Sequence, residues 1–254
     1  MLSNQYQMRH FYMRNPGAMV LLAFMTISFQ YALAAFVDGV ERFDGTVKDT
    51  ATWEEFTTVP GCSVSQDDRL IFKTGFGSDS IDYTTKNVTV GIGELVTVEL
   101  FPTEGAGHAL MYLTNNSSGH YTHMDSAHMS ILYSHIEPYG FYDFGASAVF
   151  PGGWVSDMFA ADIPRLSLAD PFILQIERTS RTSATFSAFN SDMSLIGSTG
   201  LSFTDMPDDL YISLGAVGGS GGPVAFDNVT IVPEPATDCL VLLGSLALRA
   251  RRRA

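Results

Sequence analysis

Short apolar runs with a two-residue period recur through the middle of the chain, each bounded by glycine, proline, asparagine or serine. One such run, Pro171–Glu177, places Phe172, Leu174 and Ile176 on one face of an extended strand. The other clear runs are Glu94–Phe101, His108–Thr114, His128–Ser134, Ser183–Phe189, Leu210–Ala216 and Val224–Val232. Because no helical pattern alternates with them, the sequence predicts an all-β domain, a sandwich or barrel of short antiparallel strands.

The first 35 residues are typical of a targeting segment rather than of that domain. Arg9 and Arg14 precede an apolar run, residues 18–29, and small residues follow as far as Ala35. A basic region, an apolar core and a small-residue site indicate a secretory signal peptide. We expect signal peptidase to cut after Ala34 or Ala35, and an uncleaved anchor or a later start codon are the alternatives.

The chain ends in a Pro-Glu-Pro motif, an apolar stretch and an arginine cluster. The motif is Pro233, Glu234 and Pro235, and the cluster is Arg251, Arg252 and Arg253. The prolines interrupt regular structure, and the arginines favour the cytoplasmic side of a bilayer. As a helix, residues 236–250 would measure about 22 Å, which is shorter than a hydrocarbon core of about 30 Å. The chain thus divides into a signal segment 1–35, a body 36–232 and a tail 233–254, with helix expected only in the two terminal segments.

This terminal pattern resembles the PEP-CTERM sorting signal of bacterial exported proteins. The resemblance implies recognition by an exosortase-type membrane protease and cleavage near the motif. It also implies transient anchoring in the inner membrane, followed by transfer to the outer envelope or to an extracellular polysaccharide matrix. We therefore expect the body to be exported and to work in the outer envelope or the extracellular matrix.

The body is strongly acidic. The whole chain has a formal net charge of −13, and six of its 14 Lys and Arg residues lie in the two terminal segments. Such a body repels nucleic acid backbones, so no nucleic-acid partner is expected. Of the two cysteines, Cys239 lies in the tail. Cys62 is then alone in the body, where a small buried side chain is expected.

The ends of the body share a pattern with a known group of proteins. The body opens with Phe43-Asp44-Gly45 and Trp53, and it closes with Phe226-Asp227-Asn228-Val229 and Ile231. Together with an Ile176-x-Arg178 strand and the Leu210–Gly215 strand, this pattern resembles the concanavalin A-like lectin/glucanase superfamily over residues 40–231. The resemblance implies a jelly-roll sandwich of two antiparallel sheets with adjacent first and last strands. Lectins, glucanases and inert modules share that fold, so the fold alone assigns no function.

The β-glucanases of that superfamily carry a strand with the motif E-x-D-x-x-E, whose carboxylates act as nucleophile and acid. This chain has no such motif. We therefore expect a non-catalytic module that binds extracellular polysaccharide, with no catalytic residue. The alternative is a divergent glycosidase whose acids, such as Glu137, Asp143 or Glu177, come from separate segments.

Tyr139, Tyr142 and Trp154 are the candidate carbohydrate-binding residues. They flank turn residues in an aromatic-rich stretch that begins at Tyr133. Exposed rings on such loops can stack on sugar rings, whereas buried rings fill the core of a sandwich. Core positions are expected for most aromatic residues of this stretch.

The resemblance implies a hard cation held by oxygen ligands near the first and last strands. If the body binds a metal, we therefore expect structural calcium. The candidate ligands are Asp44, Asp227 and Asn228. The alternative for the two aspartates is that they accept backbone N–H bonds in turns. Five histidines lie between His108 and His135, but their spacing on strands does not bring them together, so exposed loop histidines are expected rather than a zinc site.

Overall fold

The structure, a computed structural model, describes residues 39–57, 60–74, 80–102, 108–116, 127–136, 141–164, 170–218 and 223–233, without the side chains of residues 135, 136, 141, 142, 162 and 164. The predicted signal segment, the tail beyond Pro233, Glu137 and Tyr139 lie outside the described residues. Within the described ranges, no helix has the length and apolarity that crossing a bilayer requires.

The described residues form fifteen strands. They are β1 (Val40–Glu41), β2 (Trp53–Thr57), β3 (Ser63–Gln66), β4 (Leu70–Lys73), β5 (Ser80–Val90), β6 (Leu95–Phe101), β7 (His108–Thr114), β8 (His128–Ile136), β9 (Phe141–Phe150), β10 (Gly153–Pro164), β11 (Phe172–Ser180), β12 (Ser183–Phe189), β13 (Leu195–Ser202), β14 (Leu210–Val217) and β15 (Val224–Val232). The bounds of β7, β12 and β15 are those that the sequence predicts.

The strands are arranged in two sheets. Sheet A has the order β13-β12-β11-β6-β15-β4-β3, with β1 paired to β15. Sheet B has the order β10-β9-β8-β7-β14-β5-β2. Neighbouring strands pair antiparallel in both sheets. The predicted all-β sandwich of two antiparallel sheets is confirmed.

The hydrophobic core lies between the sheets. Phe172, Leu174 and Ile176 of β11 are buried, as their period predicts. The Phe172 ring reaches sheet B, where its centroid lies 5.2 Å from the ring of Phe144 and 6.1 Å from that of Tyr133. The face of sheet B that carries Tyr133 and Phe144 therefore faces sheet A. Because side chains alternate along a strand, the intervening residues point away from sheet A, onto the outer face of sheet B.

The two ends of the body meet, as predicted. Glu41 lies in β1, which pairs with the last strand β15. Phe43 then packs against Trp53 with ring centroids 5.6 Å apart, and Trp53 stacks on Tyr83 at 5.2 Å. Cys62, which the sequence predicts to be buried, is only half-buried and is free.

Arg178 fixes the loop that leads into β14. Its buried guanidinium donates to the carbonyl oxygen of Val90 at 2.7 Å and to those of Pro207 and Asp208. The planar guanidinium suits this role because its five N–H donors can bond several carbonyls at once. These hydrogen bonds thereby set where β14 enters the middle of sheet B.

Candidate functional site

A row of polar side chains crosses the outer face of sheet B. Register pairing connects one residue from each of the seven strands, in the order Glu54, Thr84, Ser213, Tyr112, Ser130, Ser147 and Ser156. Residues paired directly across neighbouring strands lie on the same side of a sheet. Every member except Glu54 carries a hydroxyl group. With about 4.8 Å between strands, the row is about 29 Å long.

The centre of the hydroxyl row is a buried hydrogen-bonded network. The hydroxyl oxygens of Thr84 and Ser213 lie 2.7 Å apart. The Tyr112 hydroxyl bonds with both of them and with the Asp82 carboxylate. Burial, reinforced by the charge of Asp82, raises the pKa of Tyr112 well above its ordinary value. The phenol therefore stays protonated, and this part of the row is a fixed structural network rather than a ligand surface.

The β10 end of the row is open. The hydroxyl oxygens of Ser130 and Ser147 lie 2.8 Å apart, Ser147 is half-buried and Ser156 is exposed. Trp154 and Met158 flank Ser156 at two-residue spacing on the same face, and they are 70% and 54% exposed. An indole, a hydroxyl and a thioether thus lie side by side on accessible surface. We call Trp154, Ser156 and Met158 the β10 platform.

The β9–β10 turn sets the register that creates this platform. Gly152 has φ +92°, a conformation that glycine adopts at little cost. The tight turn pairs Trp154 with Val149 and Ser156 with Ser147. Since Ser147 lies in the hydroxyl row, Trp154 falls on the outer face of sheet B.

The β10 platform lies on a strand that is held to both sheets. On one side β10 pairs with β9. On the other side, the Thr199 hydroxyl of β13 donates to the Asp157 carboxylate at 2.6 Å. Gly197 of β13 is packed so closely against β10 that a Cβ there would lie 2.9 Å from the Phe159 carbonyl oxygen. A ligand on this platform would therefore meet a preorganised surface.

Among the side chains that the structure describes, three carboxylates lie on the outer face of sheet B. Glu54 and Asp82 occupy diagonal positions on neighbouring strands, for which Cα atoms are about 7–8 Å apart. Asp82 is fully buried beside Tyr112, whereas Glu54 is exposed. Asp143, half-buried in β9, pairs with Ser134 and lies four strands from Asp82. Glu177 lies in β11 of sheet A, so the described acids that the sequence offered for catalysis, Asp143 and Glu177, are not brought together.

Of the three predicted carbohydrate-binding residues, Trp154 is the one whose side chain the structure describes. Tyr142 pairs with His135 and Ile163 in sheet B, and Tyr139 lies outside the described residues. Tyr133 and Phe144, from the same aromatic stretch, are fully buried. Most aromatic residues of that stretch whose side chains are described therefore lie in the core or at its edge, whereas Trp154 is exposed.

An acidic corner lies where the first and last strands pair. Burial is the main reason that the pKa of Glu41 is raised to about 7. The negative charges of Asp49, Asp44 and Asp227 raise this pKa further, whereas a hydrogen bond from Trp53 lowers it. Two of the predicted calcium ligands, Asp44 and Asp227, therefore lie near the Glu41 carboxyl group.

The third predicted ligand, Asn228, is tied into the last strand. It has φ +49°, and its side-chain amide donates to Glu99 at 2.8 Å. The Asp227 carboxylate accepts the Asn228 N–H at 2.8 Å and the Phe43 N–H, so it makes the backbone bonds that the sequence offered as the alternative to calcium. Burial raises the pKa of Asp227. Among the described residues, no three His, Cys, Asp or Glu side chains are placed as a metal-binding group.

The two histidines whose side chains are described do not share a site. His128 is buried, with its ring 6.2 Å from that of Tyr112. His108 lies at the other end of β7, paired with Ser134.

The hydroxyl row is the feature of the candidate site that sequence reasoning missed. Strand β5 is buried on both faces, so it lacks the apolar period that would reveal it. The serines and threonines of β5 and the two serines of β8 were the available signal. Only the pairing register aligns Tyr112 with Ser213 and Ser130, and that register comes from the fold.

The sequence matches no family model and no curated protein. Its fold, however, resembles many solved structures. An endo-β-1,3-glucanase from Pyrococcus furiosus gives a TM-score of 0.54 at 11% identity, over 76% of this chain and 92% of that chain. The exoplasmic/lumenal domain of VIP36, in a form bound to Ca²⁺ and Man3GlcNAc, gives 0.54 at 12% identity, over 76% and 89%.

A legume lectin-like domain from Entamoeba histolytica gives a TM-score of 0.52 at 10% identity, over 74% of this chain and 96% of that chain. At such identities the likeness concerns the fold. The body of this chain therefore has a concanavalin A-like jelly-roll fold.

Proposed function

We propose that this chain is an exported, non-catalytic polysaccharide-binding module whose ligand surface is the β10 platform. The observation that carries the proposal is Trp154, an indole 70% exposed on a strand fixed to both sheets and beside the open end of a hydroxyl row. Lectins and glucanases among the structures of the same fold support a carbohydrate as the ligand.

The residues of the platform fit a sugar ring. An indole offers an apolar surface to the C–H groups of a sugar, while hydroxyl groups exchange hydrogen bonds with sugar hydroxyls. Ser156 and Ser147 would supply these bonds, and Met158 extends the apolar surface. Because β10 is held by Asp157 and Thr199, binding would cost little ordering of the protein.

Calorimetric titration with a soluble neutral glucan such as laminarin tests the proposal. Trp154→Ala should weaken binding at least about tenfold, the effect expected for a central aromatic anchor. The matched control is Leu195→Ala, which removes a side chain 59% exposed on β13 of sheet A, and it should leave affinity unchanged. Equal affinity of the Trp154→Ala variant and the parent would overturn the proposal.

The alternative is a divergent glycosidase, favoured by one observation. Glu54 and Asp82 share the outer face of sheet B at diagonal positions, and glycosidases use two carboxylates about 5–10 Å apart. Asp82 is fully buried and bonded to Tyr112, so it would have to be uncovered before it could touch a sugar. Release of reducing ends from β-glucans, abolished by Glu54→Gln, would support this alternative. No release by the parent protein, under conditions in which it binds the same glucan, would reject it.

We also propose that calcium stabilises the acidic corner through Asp44, Asp227 and Asn228. The corner concentrates carboxylates, and carbonyl oxygens and waters can complete a calcium site. The Tm should rise in Ca²⁺ relative to EDTA, and less so in Mg²⁺ or in the Asp44→Asn variant. An unchanged Tm in Ca²⁺ and EDTA would reject calcium.

Export and sorting rest on the terminal sequence segments. The mature protein in its native host should lack residues 1–35 and should end near Pro235, because signal peptidase and an exosortase-type protease would remove both segments. Intact-mass measurement of the protein from envelope and matrix fractions tests this directly. A mature chain that retains Arg253 would contradict sorting.

A further inference from the structure

Exposure on the outer face of sheet B falls steeply away from β10. Trp154, Ser156 and Met158 of the β10 platform are exposed. Their partners in β9 are half-buried or buried. One strand further in, His128 and Ser130 of β8 are buried. The accessible part of this face is therefore long in the direction of β10 and narrow across the sheet.

The backbone sets both ends of the β10 platform. At the Trp154 end the chain turns back into β9. At the other end the pairing of β10 with β9 shifts by one residue between Met158 and Ala160. On a regular strand residue 160 would return to the outer face, but after this shift Ala160 pairs with Phe144 of the inner face and is buried. The apolar surface of the platform therefore ends at Met158.

The two apolar side chains of the platform are well separated. Trp154 and Met158 are four residues apart, so their Cα atoms lie about 13 Å apart at about 3.3 Å per residue. A Cβ at Gly145, the partner of Met158 in β9, would lie 3.5 Å from the Met158 sulfur. The thioether therefore extends across β9 rather than along β10 towards Trp154. Ser156 places a hydroxyl between them, and a single sugar ring is shorter than the separation of the two apolar side chains.

We propose that the β10 platform binds a linear glycan chain along its length, with the chain parallel to β10 and with different sugars on Trp154 and Met158. This inference rests on the proposed function and adds the form of the ligand and a second contact residue. Trp154 stacks on one ring, the Ser156 hydroxyl bonds to a sugar that follows, and Met158 packs on a ring further along. A monosaccharide or a disaccharide fills only part of the platform.

The test is calorimetric titration with laminari-oligosaccharides and cello-oligosaccharides of increasing length. In a series that binds, the hexasaccharide should bind at least about tenfold more tightly than the disaccharide, because the second contact forms without a second loss of translational freedom. Met158→Ala should weaken hexasaccharide binding at least about threefold, the change expected from losing roughly one methylene group of buried contact. The same variant should leave disaccharide binding unchanged, whereas Trp154→Ala should weaken both. Absence of binding in both series overturns the proposed function together with the inference.

Two further variants serve as controls. Met193→Ala removes the same kind of side chain, 56% exposed against 54% for Met158 but next to β13 of sheet A, and it should change no affinity. Val149→Ala shortens the half-buried side chain beside Trp154 in β9, and it should cost the hexasaccharide less than Met158→Ala does. A larger loss in Val149→Ala would place the chain across the sheet and overturn the inference. Binding that depends on Trp154 but neither on ligand length nor on Met158 overturns the inference and leaves the proposed function standing, whereas binding that does not depend on Trp154 overturns both.

Discussion

Gly215 of β14 and Asp82 of β5 face each other across sheet B so closely that a Cβ at position 215 would lie 2.5 Å from Oδ1 of Asp82. The same Cβ would lie 3.5 Å from the Tyr112 ring. Asp82 is fully buried and cannot swing into solvent. The missing side chain at position 215 therefore leaves room for the network that joins Asp82 to Tyr112.

Gly215→Ala should lower the free energy of unfolding by about 1–3 kcal/mol, because a methyl group would overpack this network. Gly200→Ala is the matched control, since nothing lies within 4 Å of a Cβ there, and its effect should stay within about 0.5 kcal/mol. Urea unfolding measures both variants. Adding Asp82→Ala to Gly215→Ala should cost less than the sum of the single losses. Equal unfolding midpoints for Gly215→Ala and Gly200→Ala would contradict this account.

Arg178→Lys should destabilise the fold by about 2–4 kcal/mol, because the single nitrogen of an ammonium group cannot take the positions of the two guanidinium nitrogens that bond the three carbonyls. Arg181→Lys is the comparison, since Arg181 makes exposed ion pairs with Asp205 and Asp208. Exposed pairs contribute about 0–1 kcal/mol, so the effect should be small. Urea unfolding measures both variants. Similar losses of unfolding free energy would mean that the buried hydrogen bonds of Arg178 stabilise the fold no more than an exposed ion pair does.

Glu41 should make stability depend on pH. Its pKa is about 7 in the folded chain, against an ordinary 4.5. Between these values the folded chain binds more protons than the unfolded chain, so the free energy of unfolding falls as pH rises through this window. Because water partly screens the carboxyl group, the total loss should be of order 1–2 kcal/mol.

Glu41→Gln removes this titration. The variant should be more stable than the parent at pH 8 and should lose that advantage at pH 4, with unfolding measured in EDTA so that calcium does not contribute. Identical pH profiles of stability for the two proteins would show that Glu41 does not titrate as its surroundings predict.

The layered architecture could be predicted because several strands bury only one face. In β11 the alternation of Phe172, Leu174 and Ile176 with polar neighbours reveals both the strand and its inner side. The pairing of the chain ends could be predicted from the resemblance carried by Phe43–Trp53 and Phe226–Ile231. The alternation in β11 is local, so the sequence displays it directly, whereas the pairing of the chain ends is not local and was implied by the resemblance.

The hydroxyl row could not be predicted, because it depends on register across seven strands. Tyr112 aligns with Ser213 and Ser130 only when β14, β7 and β8 pair as they do. Trp154 could be singled out as a ring next to a turn, but its place beside Ser156 at the open end of that row follows from the β9–β10 hairpin. A shift of one residue would have turned it towards the core.

The fluorescence of Trp154 tests the central claim most directly. The chain has two tryptophans, and Trp53→Phe removes the buried one while keeping an aromatic ring against Tyr83, so that Trp154 becomes the only indole. Titration of this variant with laminarin should shift its emission to shorter wavelength and protect it from a soluble quencher, because a bound sugar would cover the indole. Glycan binding detected by calorimetry without any change in Trp154 emission, or no binding to any glycan, would contradict the account.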